Sequence, residues 1–265
     1  MKRTLVLADS HCGHQCGLTP PEWQSHRVKQ PIDRAKRAKF ATAQQEAWDW
    51  YVERTALYKP FDLVILNGDA IDGRGERSGS TELLTVDRHE QCEMACQCLR
   101  QVMTAKSQLV MTYGTGYHVG QEEDFEGVIA SDMGAVKIGG HEWVDSEGVI
   151  LDCKHKCGSS TVPHSRHTAV AREALWSRLW AERGLTPRAD IIIRSHVHYY
   201  QYCGTEDFVA FTTPALQTMG SKYGARQCSG LVDFGFIVIE TDKGEFTWTA
   251  EIASLKSEAA KAVKV

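Results

Sequence analysis

The chain predicts an α/β fold with sheet layers flanked by helices. Three observations carry this. Short apolar runs of strand character recur at residues 4–8, 63–66, 109–112, 149–152 and 191–193. Segments with helical spacing lie between most of them, and the C-terminal stretch reads as β alone. The composition is that of an ordinary globular chain: 265 residues, 42% hydrophobic and 24% charged. No internal repeat and no linker divides it, so residues 1–265 read as a single domain.

The elements follow in order. Residues 4–8 are aliphatic and β-branched, with a polar stop at Asp9. Residues 12–40 form an irregular insert carrying Gly13, Gly17, Pro20, Pro21 and Pro31. Trp48, Tyr51, Val52 and Ala56 recur at steps of three and four, which predicts a helix over 41–58. Pro60 punctuates the chain, and the strand at 63–66 runs straight into Asn67-Gly68-Asp69. A glycine-rich loop spans 73–80. The helix at 85–106 places Cys92, Ala95, Cys96, Leu99 and Met103 on one face. The strand at 109–112 ends in Tyr113-Gly114-Thr115-Gly116-Tyr117-His118. A short helix is expected at 122–133, a strand at 149–152 before His155, and a helix at 165–183 stopped by Gly184. The strand at 191–193 leads into Ser195-His196-Val197-His198. Strands at 208–213, 234–240 and 245–252 complete the set, the last two joined by an Asp242-Lys243-Gly244 turn. The Ala/Lys-rich residues 256–265 are expected to fray.

Charge and cysteine content narrow the function classes. Thirty Lys and Arg face 34 Asp and Glu, for a net charge of -4, which excludes a generally basic nucleic-acid coat. No apolar stretch approaches the ~18 residues of a membrane span. The N-terminal apolar run is too short for a signal peptide. Nine cysteines, an odd number, cannot form a complete internal disulfide framework. A cytoplasmic protein with reduced thiols and no membrane partner is therefore expected.

Five polar clusters each follow an apolar strand: Asp9-Ser10-His11, Gly68-Asp69, the stretch from Gly114 to His118, His155, and His196-Val197-His198. In open α/β sheets ligands gather beyond the carboxyl ends of strands. Residues i and i+2 of an extended backbone project to one side, so Asp9 with His11, and His196 with His198, could each share an ion. Mixed carboxylate and imidazole ligands suit Mn, Fe, Zn or Ni. A shared carboxylate could bridge two ions about 3.5–4 Å apart. Asp69 is the bridge candidate, because Gly68 permits close backbone approach. Each pattern alone is common in surface loops and turns; the ordered set is what points to a dinuclear centre.

This set resembles the calcineurin-like metallophosphoesterases, whose pattern is D-x-H, G-D, G-N-H-[D/E], an isolated His, then G-H-x-H. Four of the five elements match in order between residues 9 and 198. The stretch from Asp9 to Pro21 is similar to a bacteriophage and prophage branch, which would place the protein in a host cytoplasm. The resemblance implies a four-layer αββα sandwich of two mixed sheets flanked by helices. It implies a first divalent ion held by Asp9, His11, Asp69 and His198, and a second by Asp69, His155 and His196. Mn²⁺ is the expected metal, with Ni²⁺, Fe, Zn²⁺ and Mg²⁺ as alternatives.

The third element departs from the pattern. The family's Asn ligand is missing; Thr115 stands nearest its place, and His118 is displaced by two residues. Thr115 would be a weak ligand for the second ion, and His118 the catalytic or phosphate-contacting histidine. Gly68-Asp69-Ala70-Ile71-Asp72 resembles the phosphatase G-D-x-x-D, in which the second Asp orients that histidine; Asp72 could equally be a turn cap.

The implied activity is metal-dependent hydrolysis of phosphate mono- or diesters by an activated hydroxide, possible substrates including nucleic acid and nucleotides. Arg74 and Arg77 are placed to contact phosphate. Arg27, Lys29, Arg34, Lys36, Arg37 and Lys39 make a basic arm, which is either a polyanion contact or a solvated face. Two competing ideas stand beside this. Cys12, Cys16, Cys153 and Cys157 could form a structural zinc site. The missing Asn would also suit a catalytically weakened binding or regulatory protein on the same fold.

Overall fold

Alternation within each strand divides its side chains between two faces, and three apolar clusters show where each face goes. The computed structural model describes residues 1–25, 34–119, 124–160, 162–219, 231–258 and 262. A six-stranded sheet has the order β11 (Glu245–Ile252), β10 (Gly235–Asp242), β1 (Lys2–Leu7), β2 (Leu63–Asn67), β3 (Gln108–Thr112), β4 (Lys137–Gly139). β1 to β4 run parallel, while β10 pairs antiparallel with both neighbours. A five-stranded sheet has the order β5 (Glu142–Ser146), β6 (Val149–Cys153), β7 (Ile191–Arg194), β9 (Phe208–Thr212), β8 (Gln201–Thr205). Its three central strands are parallel and its two outer ones antiparallel.

Leu5, Leu7, Val64, Leu66, Leu109 and Met111 of the first sheet pack with Tyr51, Leu99 and Ile129, from α1 (Arg34–Ala56), α2 (Arg88–Val102) and α4 (Phe125–Asp132). Val6, Ile65 and Val110 face the other way and meet Leu151, Ile193 and Phe211 of the second sheet. Ile192 and Ala210 on that sheet's outer face meet Val170 and Ala174 of α5 (Arg166–Glu182). The layers are therefore helix, sheet, sheet, helix: an α/β sandwich of two mixed sheets, matching the metallophosphoesterase architecture.

Several local expectations change. α1 begins at Arg34, so the end of the 12–40 insert is helical. α2 is shorter than 85–106, because Asp87 caps it by accepting from the His89 amide at 2.8 Å. The tail is anchored at its start: the amides of Lys256 and Ser257 donate to the Glu46 carboxylate at 2.6 and 2.9 Å. β4, β5 and β8 were not anticipated from the sequence, and each is an edge strand. No helix among the described residues is long and apolar enough to cross a membrane.

Candidate metal centre

The loops after β1, β2, β3, β6 and β7 meet at one end of the sandwich. Backbone bonds knit the first two: the amides of Asp9 and His11 donate to the carbonyls of Gly68 and Asp69, both at 3.0 Å. Asn67 joins the sheets, its amide nitrogen donating to Ser195 Oγ at 2.7 Å. The His196 amide reaches Asp9 Oδ2 at 3.1 Å.

Three groups of ligand atoms result among the described residues: first Asp9, His11 and His198; second Asp69, His155 and His196; and a third, sharing His11 with the first, of His11, Asp72 and His118. In the first, His198 Nε2 lies 3.1 Å from Asp9 Oδ1 and 3.2 Å from His11 Nε2. In the second, His155 Nε2 lies 3.0 Å from Asp69 Oδ2. Asp9 Oδ1 also comes within 3.9 Å of both His11 Nε2 and His155 Nε2, so this atom faces the first two groups. Asp69 makes its short histidine contact with His155.

The backbone differs from the extended form expected. Asp9, His11, Asp69, His196 and His198 have φ of 51°, 42°, 51°, 74° and 57°. Left-handed backbone is uncommon for residues other than glycine and typically costs about 1–3 kcal/mol each where it clusters at a site. Convergence therefore comes from tight left-handed loops, not from i, i+2 projection. Gly68, at φ 81°, lets the loops close: a Cβ there would lie 2.5 Å from the His155 ring.

Burial pulls the His11 imidazole down to about 4, helped by the neighbouring His118. Burial also pulls on His155, but the Asp69 and Asp9 carboxylates outweigh it and raise that imidazole to about 10. For Asp69, burial opposes ionisation, yet His155 holds the carboxyl well below the usual range.

The third loop absorbs its departure from the family pattern by a single helical turn, α3 (Gly116–Val119). The His118 amide bonds the Thr115 carbonyl at 2.9 Å, and its ring lies 4.5 Å from that of His11. Thr115 closes on Asp69 instead: its amide donates to Oδ1 at 2.7 Å, and its hydroxyl lies 3.2 and 3.3 Å from the two carboxylate oxygens. Asp72 sits between histidines, its Oδ1 3.2 Å from His11 Nδ1 and 3.5 Å from His118 Nδ1.

Glu126 is a site residue that the sequence did not flag. Wholly buried, it accepts from the amides of Ala70 at 2.9 Å and Gly114 at 2.7 Å, pinning two ligand loops together. Burial, with the Asp69 charge, raises its carboxyl to about 7. Only its position at the start of an amphipathic segment could have hinted at it. Arg74 is exposed on the loop after Gly73, whose backbone lies against His118. The side chain of Arg77 lies outside the described residues, as do Arg27 and Lys29 and the side chains of Arg34, Lys36, Arg37 and Lys39. Among the described residues no cysteine joins a metal-capable group. Cys12 instead packs in the core against Cys98, with sulfurs 3.9 Å apart.

A fit test for divalent ions comes from two orphaned atoms. Asp9 Oδ1 and His155 Nε2 are buried with no hydrogen-bond partner, although each lies near opposite-type groups. Close approach without hydrogen-bond alignment is what atoms aimed at a common ion show, and the donor set fits Mn, Fe, Zn or Ni.

No protein-family model and no curated protein matches the chain. Among solved structures it is similar to Vps29 of Entamoeba histolytica complexed with zinc, at 13% identity and TM-score 0.44, over 95% of this chain and 98% of that one. It is similar to Vps29 of Chaetomium thermophilum at 10% identity and TM-score 0.43, over 96% and 97%. An archaeal phosphodiesterase gives 11% identity and TM-score 0.42, over 94% and 99%. Likenesses this distant assign no activity to this chain.

Proposed function

We propose that the chain binds divalent metal on a phosphoesterase-type fold and is catalytically weakened at its second ion position, a binding or regulatory protein with slow residual hydrolysis. The carrying observation is Thr115. A carboxamide there could reach an ion with its oxygen, whereas the Thr115 hydroxyl turns to the Asp69 carboxylate, beside a backbone amide bond that any residue at 115 would keep. Asp9, His11 and His198 would hold the first ion; Asp69, His155 and His196 would hold the second. Divalent ions, when bound, would polarise a phosphate ester and lower the pKa of water. His118 would face the leaving oxygen, and Arg74 on the adjoining loop would meet a phosphate.

A second reading, a full two-metal phosphoesterase acting on mono- or diesters, including nucleotides or nucleic acid, is favoured by the return of His118 to the site. One experiment separates them: titration of Mn²⁺, Ni²⁺, Zn²⁺ and Mg²⁺ against aryl mono- and diesters and single-stranded DNA, for wild type, Thr115→Asn and Asp69→Asn. The expected result is slow wild-type turnover, an increase of roughly tenfold or more in Thr115→Asn, and none in Asp69→Asn. Wild-type turnover already within the usual enzyme range of about 1–10³ s⁻¹ would replace the first reading by the second.

A further inference from the structure

Asp72 presents two different atoms to two histidines. Its carboxylate Oδ1 lies 3.2 Å from His11 Nδ1. Its backbone carbonyl lies 2.9 Å from His118 Nδ1, closer than its carboxylate at 3.5 Å. Both histidines therefore carry their proton on Nδ1 if each donates to its nearer partner, yet only one of them depends on the side chain. Asp72 is itself buried, and its own amide donates to the Cys12 carbonyl at 3.1 Å, which fixes its loop against the His11 loop.

We propose that Asp72 is a positioning residue for the metal ligand His11, and not for His118. The chemistry is that of an outer carboxylate behind a ligating imidazole. Donation from Nδ1–H to the carboxylate leaves the lone pair on Nε2 and raises its basicity. In His11 that Nε2 is the atom 3.2 Å from His198 Nε2, where the first group converges. The ring cannot turn over without losing this bond in a buried place. His118 is held by a carbonyl that no side-chain substitution removes, so its tautomer is independent of the residue type at position 72. This deepens the metal-binding reading above and rests on it.

The test uses the full chain with Asp72→Ala and Asp72→Asn, the second being isosteric and retaining one acceptor oxygen. Folding is checked by amide spectra. Two quantities are read: binding of Mn²⁺ and of Zn²⁺ by calorimetry, and the ring-nitrogen shifts of His11 and His118 by NMR of the metal-free protein. Asp72→Ala is expected to weaken one ion by about 10–100-fold and to turn His11 into a mixture of tautomers, with His118 unchanged. Asp72→Asn should recover most of the His11 tautomer and part of the affinity. A His118 tautomer that shifts while His11 and the affinity stay put would overturn the proposal. So would loss of a separate ion held by Asp72 and His118 with the affinity at Asp9 and His198 intact. Wild type that binds neither metal would sink the metal-binding reading, while the His11 tautomer would still report on Asp72.

Discussion

His11 and His155 sit in one centre yet hold their protons very differently. With burial and His118 pushing it down to about 4, His11 is neutral at pH 7 and offers a lone pair. His155, raised to about 10 by carboxylates that outweigh burial, is charged until an ion displaces its proton. Filling the Asp69–His155–His196 position at pH 7 should thus release about one proton from His155, whereas His11 has none to give. Calorimetry in buffers of different ionisation enthalpy reads this directly; metal binding whose heat is independent of the buffer would contradict it. At this scale the residue identities were legible, because carboxylate and imidazole types stand at strand ends. Their backbone was not. Nothing in Asp9-Ser10-His11 or His196-Val197-His198 announces a left-handed φ, since the glycine that normally marks it is absent.

Loops, not strands, set the precision of the centre. Gly114 lies so close to Asp69 that an added Cβ would fall 2.1 Å from Oδ1 and 2.3 Å from the amide nitrogen. Gly114→Ala should displace that carboxylate and lower affinity for the second ion at least ~10-fold, as measured by equilibrium dialysis; unchanged affinity would mean the third loop shifts freely. Glu126→Gln turns one of two acceptor oxygens into a donor facing the amide of Ala70 or Gly114. The cost should be about 1–3 kcal/mol in urea unfolding. The interior strands could be read because both their faces are covered, giving continuous apolar runs such as Leu-Val-Ile-Leu in β2. β4, β5 and β8 are edges, half-exposed, and carry no such run. The turn that returns His118 was hidden for a related reason: four residues are too few to show a period.

Across the whole molecule, one buried ionic network ties α5 to the second sheet beneath the histidine loops. Arg194, fully buried, donates to Asp152 Oδ1 at 2.7 Å and to Glu173 Oε2 at 2.9 Å. His141 and Ser177 complete the Asp152 shell at 2.7 and 2.8 Å. Burial opposes ionisation of Asp152, but His141 and Arg194 hold its carboxyl well below the ordinary 3.8. A carboxyl lowered on folding stabilises above its unfolded pKa and loses that contribution as pH falls through the folded one. Asp152→Asn removes one of the two carboxylates paired with Arg194 and leaves Glu173 as the other. It should therefore cost less than the roughly 3–5 kcal/mol of a fully unpaired buried charge at pH 7, and should flatten the decline in stability below about pH 4. An unaltered acid limb would assign that decline to other carboxylates. The α/β class was readable from the alternation of strands and helices, and the four-layer order only through the resemblance that the strand-end residues carry, while this network was not, because its partners are scattered from His141 to Arg194. Each candidate ion position also draws on loops of both sheets: Asp9 and His11 with His198, and Asp69 with His155 and His196. An ion there acts mechanically as a rivet through the two layers. At a hundred times its Kd it would add roughly 2.7 kcal/mol to stability. Chelation should lower the melting temperature and let amides in the loops after β1, β2, β6 and β7 exchange first, leaving the helix packing tight; uniform loosening would mean the layers are not fastened at that end.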